Sequence, residues 1–174
     1  MKWVLIALGA LVVLVALVAL VGAFVPREHR ATCRARFRTG ADALFAALTD
    51  YDGYPAWRGD VKSVRRLEPI GGKHAFVEET GQGPRTYAVE LTEPGRRLVL
   101  RIADDDLPYG GTWTFELAAD ANGTTLAITE DGFVKPVIFR ALARFVFGYH
   151  STMEGYLAGL AKKLGETVTV ERVE

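Results

Sequence analysis

From Trp3 to Val25 no charged or polar side chain appears, and only Gly9 and Gly22 interrupt the apolar residues. A helix rising about 1.5 Å per residue would carry this run across about 34 Å, enough for a hydrocarbon core of about 30 Å. Being apolar on every side, residues 1–25 are predicted to form a transmembrane anchor. A cleaved signal peptide is the rival reading. Val21-Gly22-Ala23 offers a small-residue site, but the apolar run exceeds the roughly 7–15 residues of such signals.

After a linker, Pro26 to His29, the pattern changes to alternation. Ala31, Cys33, Ala35 and Phe37 share one face, and Arg30, Thr32, Arg34, Arg36 and Arg38 the other, which predicts a half-buried strand. Thr39 reads as the N-cap of a short helix with Asp42 in its first turn. The turn-rich segment Asp50 to Arg58 predicts a short helix or turn around Tyr54-Pro55-Ala56-Trp57. Strands then alternate with tight turns. Val61–Glu68 and His74–Thr80 are separated by Gly71-Gly72, and Gly81-Gln82-Gly83-Pro84 precedes Tyr87, Val89 and Leu91. Glu93-Pro94-Gly95 leads to Leu98, Leu100 and Ile102, and a loop from Asp104 to Gly111 leads to Trp113, Phe115 and Leu117. Asn122-Gly123 is the strongest hairpin signal, and Leu126, Ile128 and Glu130 line the returning strand.

Between Pro136 and Glu166 the spacing becomes helical. Leu142, Val146, Tyr149, Met153, Tyr156, Leu160 and Leu164 form one apolar stripe, with Pro136 suited to the first turn and Gly165 to the stop. The expected fold is α+β: a curved antiparallel sheet of about six to seven strands gripping a long C-terminal helix, beside the N-terminal transmembrane helix. The domain would occupy residues 30–166, with residues 167–174 as a tail that forms a strand or frays.

Charge excludes one class of function. Lys plus Arg and Asp plus Glu are both 21, so no general positive field favours nucleic acid. Cys33 is the single cysteine and has no disulfide partner. By the positive-inside rule, Arg27, Arg30, Arg34, Arg36 and Arg38 after the anchor, against Lys2 before it, place the domain on the cytosolic side. The same arginines suit pairing with acidic neighbours on a folded strand, and a Lys2-first start also fits an export signal.

No sequence motif for a zinc hydrolase, a nucleophile elbow or a phosphate loop is present, and His29, His74, His150 and Cys33 supply too few ligands for a structural zinc. Asp104-Asp105-Asp106 reads as a solvated loop. What remains is aromatic. Trp57, Tyr87, Trp113, Phe115, Phe133, Tyr149, Met153 and Tyr156 either fill an ordinary core or line an apolar pocket, in which Tyr87, Tyr149 and Tyr156 would orient a ligand. Glu130 shares a face with Leu126 and Ile128 and is the one catalytic candidate; Glu79, on the face of Ala75 and Val77, is the weaker second. A one-residue bulge would turn either into water. His150, one turn before Glu154, reads as a helix-surface residue. Val137, Ile138, Phe139, Leu142, Phe145, Val146 and Phe147 cover nearly every side of their helix around Arg140 and Arg144. Burial under the sheet and a second membrane contact both fit that pattern.

The element order resembles the START-like superfamily, also called the helix-grip or polyketide cyclase and lipid-transport group. The residues carrying the resemblance are TDYDGYPAWRGDVKSV, with Asp50-Tyr51 running to Trp57, then Gly111-Thr112-Trp113-Thr114-Phe115, then the helix from Pro136. The resemblance implies a cavity between sheet and helix for lipids, sterols, quinones or polyketides, with a few members acting as enzymes. It leads to a membrane-anchored, single-pass binding domain for a lipid-like or quinone-like molecule, with no cofactor, metal or nucleic acid. The alternatives are a cyclase or dehydratase using Glu130 and a tyrosine, and a structural or partner-binding domain with a filled core.

Overall fold

The computed structural model describes Met1 to Val173; Glu174, the end of the expected tail, lies outside the described residues. Helix α1 (Lys2–Phe24) leads into strand β1 (Glu28–Phe37), helix α2 (Ala41–Thr49) and a 3-10 turn (Tyr51–Ala56). Six strands follow: β2 (Val61–Ile70), β3 (Lys73–Thr80), β4 (Gly83–Glu93), β5 (Arg97–Ile102), β6 (Tyr109–Asp120) and β7 (Gly123–Val134). Helix α3 (Val137–Leu142), a π-helical turn (Ala143–Phe147), helix α4 (Ser151–Lys163) and strand β8 (Val170–Val173) complete the described residues.

All eight strands join one antiparallel sheet in the order β2-β3-β4-β5-β6-β7-β1-β8. The α+β helix-grip expectation therefore holds, with eight strands because Val170–Val173 pairs along the free side of β1. Asp120 and Gly123 close the β6–β7 hairpin, where the Asn-Gly signal placed it. Gly123 has φ 137°, and a Cβ there would stand 2.1 Å from the Phe37 carbonyl oxygen, so only glycine fits. Register shifts in β2 and in β4 at Val89/Leu91 are bulges, which bend a strand.

One face of this sheet carries the core. Phe37, Leu98, Phe115, Leu126 and Ile128 from the strands meet Leu44 and Leu48 of α2 and Met153, Leu157 and Leu160 of α4, all buried. Burying each such side chain contributes about 1.5–3 kcal/mol. Cys33 sits in this core, and burial raises its thiol above the ordinary value.

Three local expectations change. The C-terminal helix is two helices, broken at Gly148, whose φ of 72° belongs to the left-handed region that glycine occupies without strain. Met153, Tyr156 and Leu160 keep the expected inward stripe, whereas Val146 lies on the outside. The cap of α2 is Gly40 rather than Thr39. Thr39 turns instead to Glu166: its N–H and hydroxyl both donate to Oε1, at 2.9 and 2.5 Å, while the Arg38 N–H donates to Oε2. Glu166 stands just past a glycine stop, where the Gly165 and Glu166 N–H groups donate to the Lys162 and Ala161 carbonyls. One carboxylate thus ties the end of α4 to the corner after β1. Finally, β1 begins at Glu28, so His29 lies on a strand, not in the linker.

Candidate functional site

His29 continues the inward face of β1 one step before Ala31, and Glu130 continues the inward face of β7 one step beyond Ile128. No bulge interrupts β7, so Glu130 keeps the orientation its alternation implied. His29 pairs across the sheet with Gly132, two residues along from Glu130. A Cβ at Gly132 would meet His29 Cε1 at 2.6 Å and Glu130 Oε1 at 3.0 Å, so the missing side chain makes room for the pair. His29 Nε2 lies 3.4 Å from Glu130 Oε1. The imidazole stacks on Tyr149, with centroids 3.9 Å apart and an interplanar angle of 8°. Gly148, in the left-handed region, ends the π-helical turn immediately before Tyr149.

These groups stand at one side of a half-open cleft of about 530 Å³. Phe133 and Val134 of β7, Tyr109 of β6, and Phe139 and Phe147 from the α3 region supply most of its walls. Ala143, the smallest side chain on the π-helical turn, leaves the space open, and Thr152 marks its end on α4. The volume suits a small molecule, and an apolar lining with a few convergent polar groups is the usual construction of a ligand site.

A polar strip runs beside the cleft on the same face of the sheet. Arg85 donates to the Tyr109 hydroxyl at 3.1 Å and to Tyr87 at 3.4 Å. Burial, with the Glu78 carboxylate adding to it, pushes the Tyr87 hydroxyl up to about 12. Next along the strip, Arg58 Nη1 donates to Glu78 Oε1 at 2.5 Å, with Asp60 holding the other side of the guanidinium. Burial raises the Glu78 carboxyl above its ordinary value, and Arg58 pulls against that rise. Glu79 is not the inward carboxylate of β3. Ala75, Phe76 and Val77 are apolar on both faces, so alternation there had no preferred phase. Phe76 decides it by stacking on Tyr51 and Tyr87, and Glu78 follows onto that face.

The remaining aromatic candidates lie deeper. Trp57, Trp113, Phe115 and Tyr156 touch one another edge-on or tilted, with centroids 5.1 to 6.0 Å apart. Tyr156 donates to the Tyr54 hydroxyl at 3.2 Å, which donates to the Leu48 carbonyl at 2.6 Å. Burial drives both hydroxyls well above the ordinary tyrosine range, so they serve as neutral hydrogen-bonding groups. Met153 is fully buried beneath them. The middle of the domain is therefore plugged by its own side chains, and the open space lies at the end nearest α3. Phe133, Tyr149 and Glu130 face that space; Trp57, Trp113, Phe115, Met153 and Tyr156 belong to the plug, and Tyr87 joins the strip. His29 and Tyr109 were not anticipated. Extending the β1 alternation back by one step would have found His29.

Arg58 and Tyr156 also border a smaller cleft of about 310 Å³ against α4. Thr152 borders both clefts. Among the described residues no cluster of three or more His, Cys, Asp or Glu side chains is arranged to hold a metal.

Comparison with known proteins places this geometry in context. The family described as polyketide cyclase / dehydrase and lipid transport matches residues 28–165. An aromatase/cyclase from Streptomyces sp. R1128 superposes with a TM-score of 0.63 at 14% identity, covering 79% of this chain and 94% of that one. A START superfamily protein from Mycobacterium smegmatis gives a TM-score of 0.61 at 16% identity, covering 80% and 98%. The di-domain aromatase/cyclase StfQ of the steffimycin biosynthetic pathway gives 0.58 at 16%, and this chain spans 52% of its length. At these identities the superpositions establish a shared fold alone. No curated protein is similar enough in sequence to count as a relative.

Proposed function

We propose a function from one premise: this chain belongs to the polyketide cyclase/dehydrase and lipid transport family. Within that family it acts as a membrane-anchored binding domain for a lipid-like or quinone-like small molecule. The supporting observation is the cleft of about 530 Å³, apolar on most of its walls and polar at His29, Glu130 and Tyr109. The apolar body of a ligand would lie against Phe133, Phe139 and Phe147, and a hydroxyl or amine on it would meet the Glu130 carboxylate. Helix α1 crosses the bilayer once and keeps the domain beside any membrane-dissolved ligand. Arg30, Arg34 and Arg36 pair with Asp131, Glu171 and Asp120, whereas Arg27 stands next to the anchor without a carboxylate partner among the described residues. The positive-inside rule counts Lys and Arg irrespective of such pairing, so five arginines soon after α1 against Lys2 before it support a cytosolic domain.

Full-length protein in lipid nanodiscs is expected to carry an apolar adduct in native mass spectrometry. Ala143→Trp fills the cleft and is expected to cut adduct occupancy about tenfold, a change of about 1.4 kcal/mol. No adduct on the parent protein, and no uptake from an added total lipid extract, would refute the reading.

A second reading, acid–base catalysis on the same molecule, is favoured by one observation: Glu130 has a histidine, His29, within 3.4 Å in an apolar cleft. In that reading the imidazole and carboxylate relay a proton during a dehydration or ring closure. Glu130→Gln is then expected to lower turnover by about 10²–10⁴-fold while the adduct is retained. Unchanged turnover removes Glu130 from the chemistry.

A further inference from the structure

Most of α1 is exposed. Among its described positions only Val18, Ala19 and Gly22, with Val25 at its end, are buried or half-buried, and they lie on one side of the helix. Helix α3 packs against it. The crossing is close: a Cβ on Gly22 would stand 1.9 Å from the Val137 carbonyl oxygen and 3.5 Å from the Ala141 side chain. Small residues at a crossing let two backbones approach, as they do between helices in lipid.

This crossing sets a depth. Gly22 lies three residues inside the apolar run that ends at Val25, about 4.5 Å along the helix axis. Val18 lies one further turn inside. Whatever rests on Gly22 shares the level of the last turns of α1. If α1 occupies a bilayer, α3 lies in the outer part of that bilayer.

The composition of the segment fits this position. Phe139, Phe145, Val146 and Phe147 are 52%, 67%, 66% and 65% exposed, the largest exposed apolar group outside α1. Phe24, at the end of α1, is 83% exposed beside them. Elsewhere the cations are mixed: Arg65 and Arg96 stand outside every ion pair among the described residues, and others are paired. Arg34, Arg36, Arg66, Arg101 and Arg172 are each paired with a carboxylate. Around the phenylalanines, Arg27 lies over the Phe133 ring, Arg144 over Tyr149, and Arg140 donates to the carbonyls of Val134 and Lys135. None of these three has a carboxylate within salt-bridge distance among the described residues. Cations without counter-ions bordering exposed aromatic side chains match the anionic headgroup layer above an acyl region.

We infer that the segment Val137–Phe147 is a second membrane-seated element, lying in the boundary layer of the bilayer that α1 crosses. Phe139 and Phe147, which line the cleft, then also face acyl chains, so the cleft opens into lipid. The inference rests on the reading of α1 as a membrane span and deepens the proposed binding function by naming the phase that supplies the ligand. The occupant of this surface is the lipid leaflet, not a second copy of the chain.

The test uses the full chain with Cys33→Ala as background, reconstituted in vesicles of phosphatidylcholine and phosphatidylglycerol. Nitroxide labels are placed singly through Leu14→Cys, Phe145→Cys, Phe147→Cys and Glu116→Cys. Power-saturation electron paramagnetic resonance then compares collisions with oxygen, which concentrates in lipid, and with a nickel chelate, which stays in water. Labels at 14, 145 and 147 are expected to favour oxygen several-fold over the nickel chelate, and the label at 116 the reverse. A lipid-facing label at 14 with water-facing labels at 145 and 147 overturns this inference and leaves the anchor standing. A water-facing label at 14 overturns both. Labels at 145 and 147 shielded from both reagents and broadened by spin–spin coupling identify a second copy as the occupant, which also overturns it.

Discussion

Arg58→Met is expected to lower the folding stability of the full chain in detergent by about 3–5 kcal/mol at neutral pH, read from chemical denaturation. The Arg58 side chain is 9% exposed and that of Glu78 1%. Removing the guanidinium leaves a buried carboxylate with only Arg85, across the β3–β4 pair and beyond ion-pair distance, to offset it, the costly half of a buried ion pair. The pH dependence has a definite sign. Burial already raises the Glu78 carboxyl above its ordinary value, and loss of Arg58 raises it further. The folded variant therefore keeps its proton to higher pH than the unfolded chain does. Its stability falls as pH rises from about 4.3, the ordinary glutamate value, through the raised folded value. Acidification restores it. Arg58→Met with Glu78→Gln is expected to recover most of the loss and to flatten the pH slope. A single variant equally stable at acidic and neutral pH would sink this account of the pair.

Phe115→Ala is expected to cost about 3–5 kcal/mol, whereas Phe147→Ala costs about 0.5 kcal/mol or less. Phe115 is 1% exposed and packs on Trp113 and Tyr156, so truncation leaves a cavity between β6 and α4. Phe147 is 65% exposed, so its loss removes little packing within the protein. Adduct retention should show the opposite order. Phe115→Ala keeps the cleft lining intact, while Phe147→Ala removes part of its wall. Thermal denaturation in detergent and native mass spectrometry read the two properties separately. A stable Phe115→Ala protein that loses its adduct would mean that the middle of the domain, not its α3 end, is the binding site.

Legibility followed the size of the local signal. The unbroken apolar run of α1, the period-two strands from β5 to β7 and the Asn122-Gly123 turn are each settled within a few residues, because one pattern there outweighs any alternative. Gly165 ended its helix as expected for the same reason. Where neighbouring signals matched in strength, alternation was ambiguous: Ala75-Phe76-Val77 is apolar on both faces, and the stacking of Phe76 between Tyr51 and Tyr87 put Glu78 inward instead of Glu79. The stripe from Leu142 to Leu164 was continuous in sequence although Gly148 divides the helix, since a segment apolar on nearly every side before Gly148 extends the α4 stripe backward whatever its phase.

From its sequence alone, this protein was determined to carry an apolar helix, an antiparallel meander and an amphipathic C-terminal segment, all properties of neighbouring residues. Only the tertiary structure decided which aromatics plug the core, that His29 meets Glu130, and that α3 rests on Gly22 of α1. Those facts join residues from distant parts of the chain, and they depend on strand order and on close backbone approach, which no local periodicity encodes.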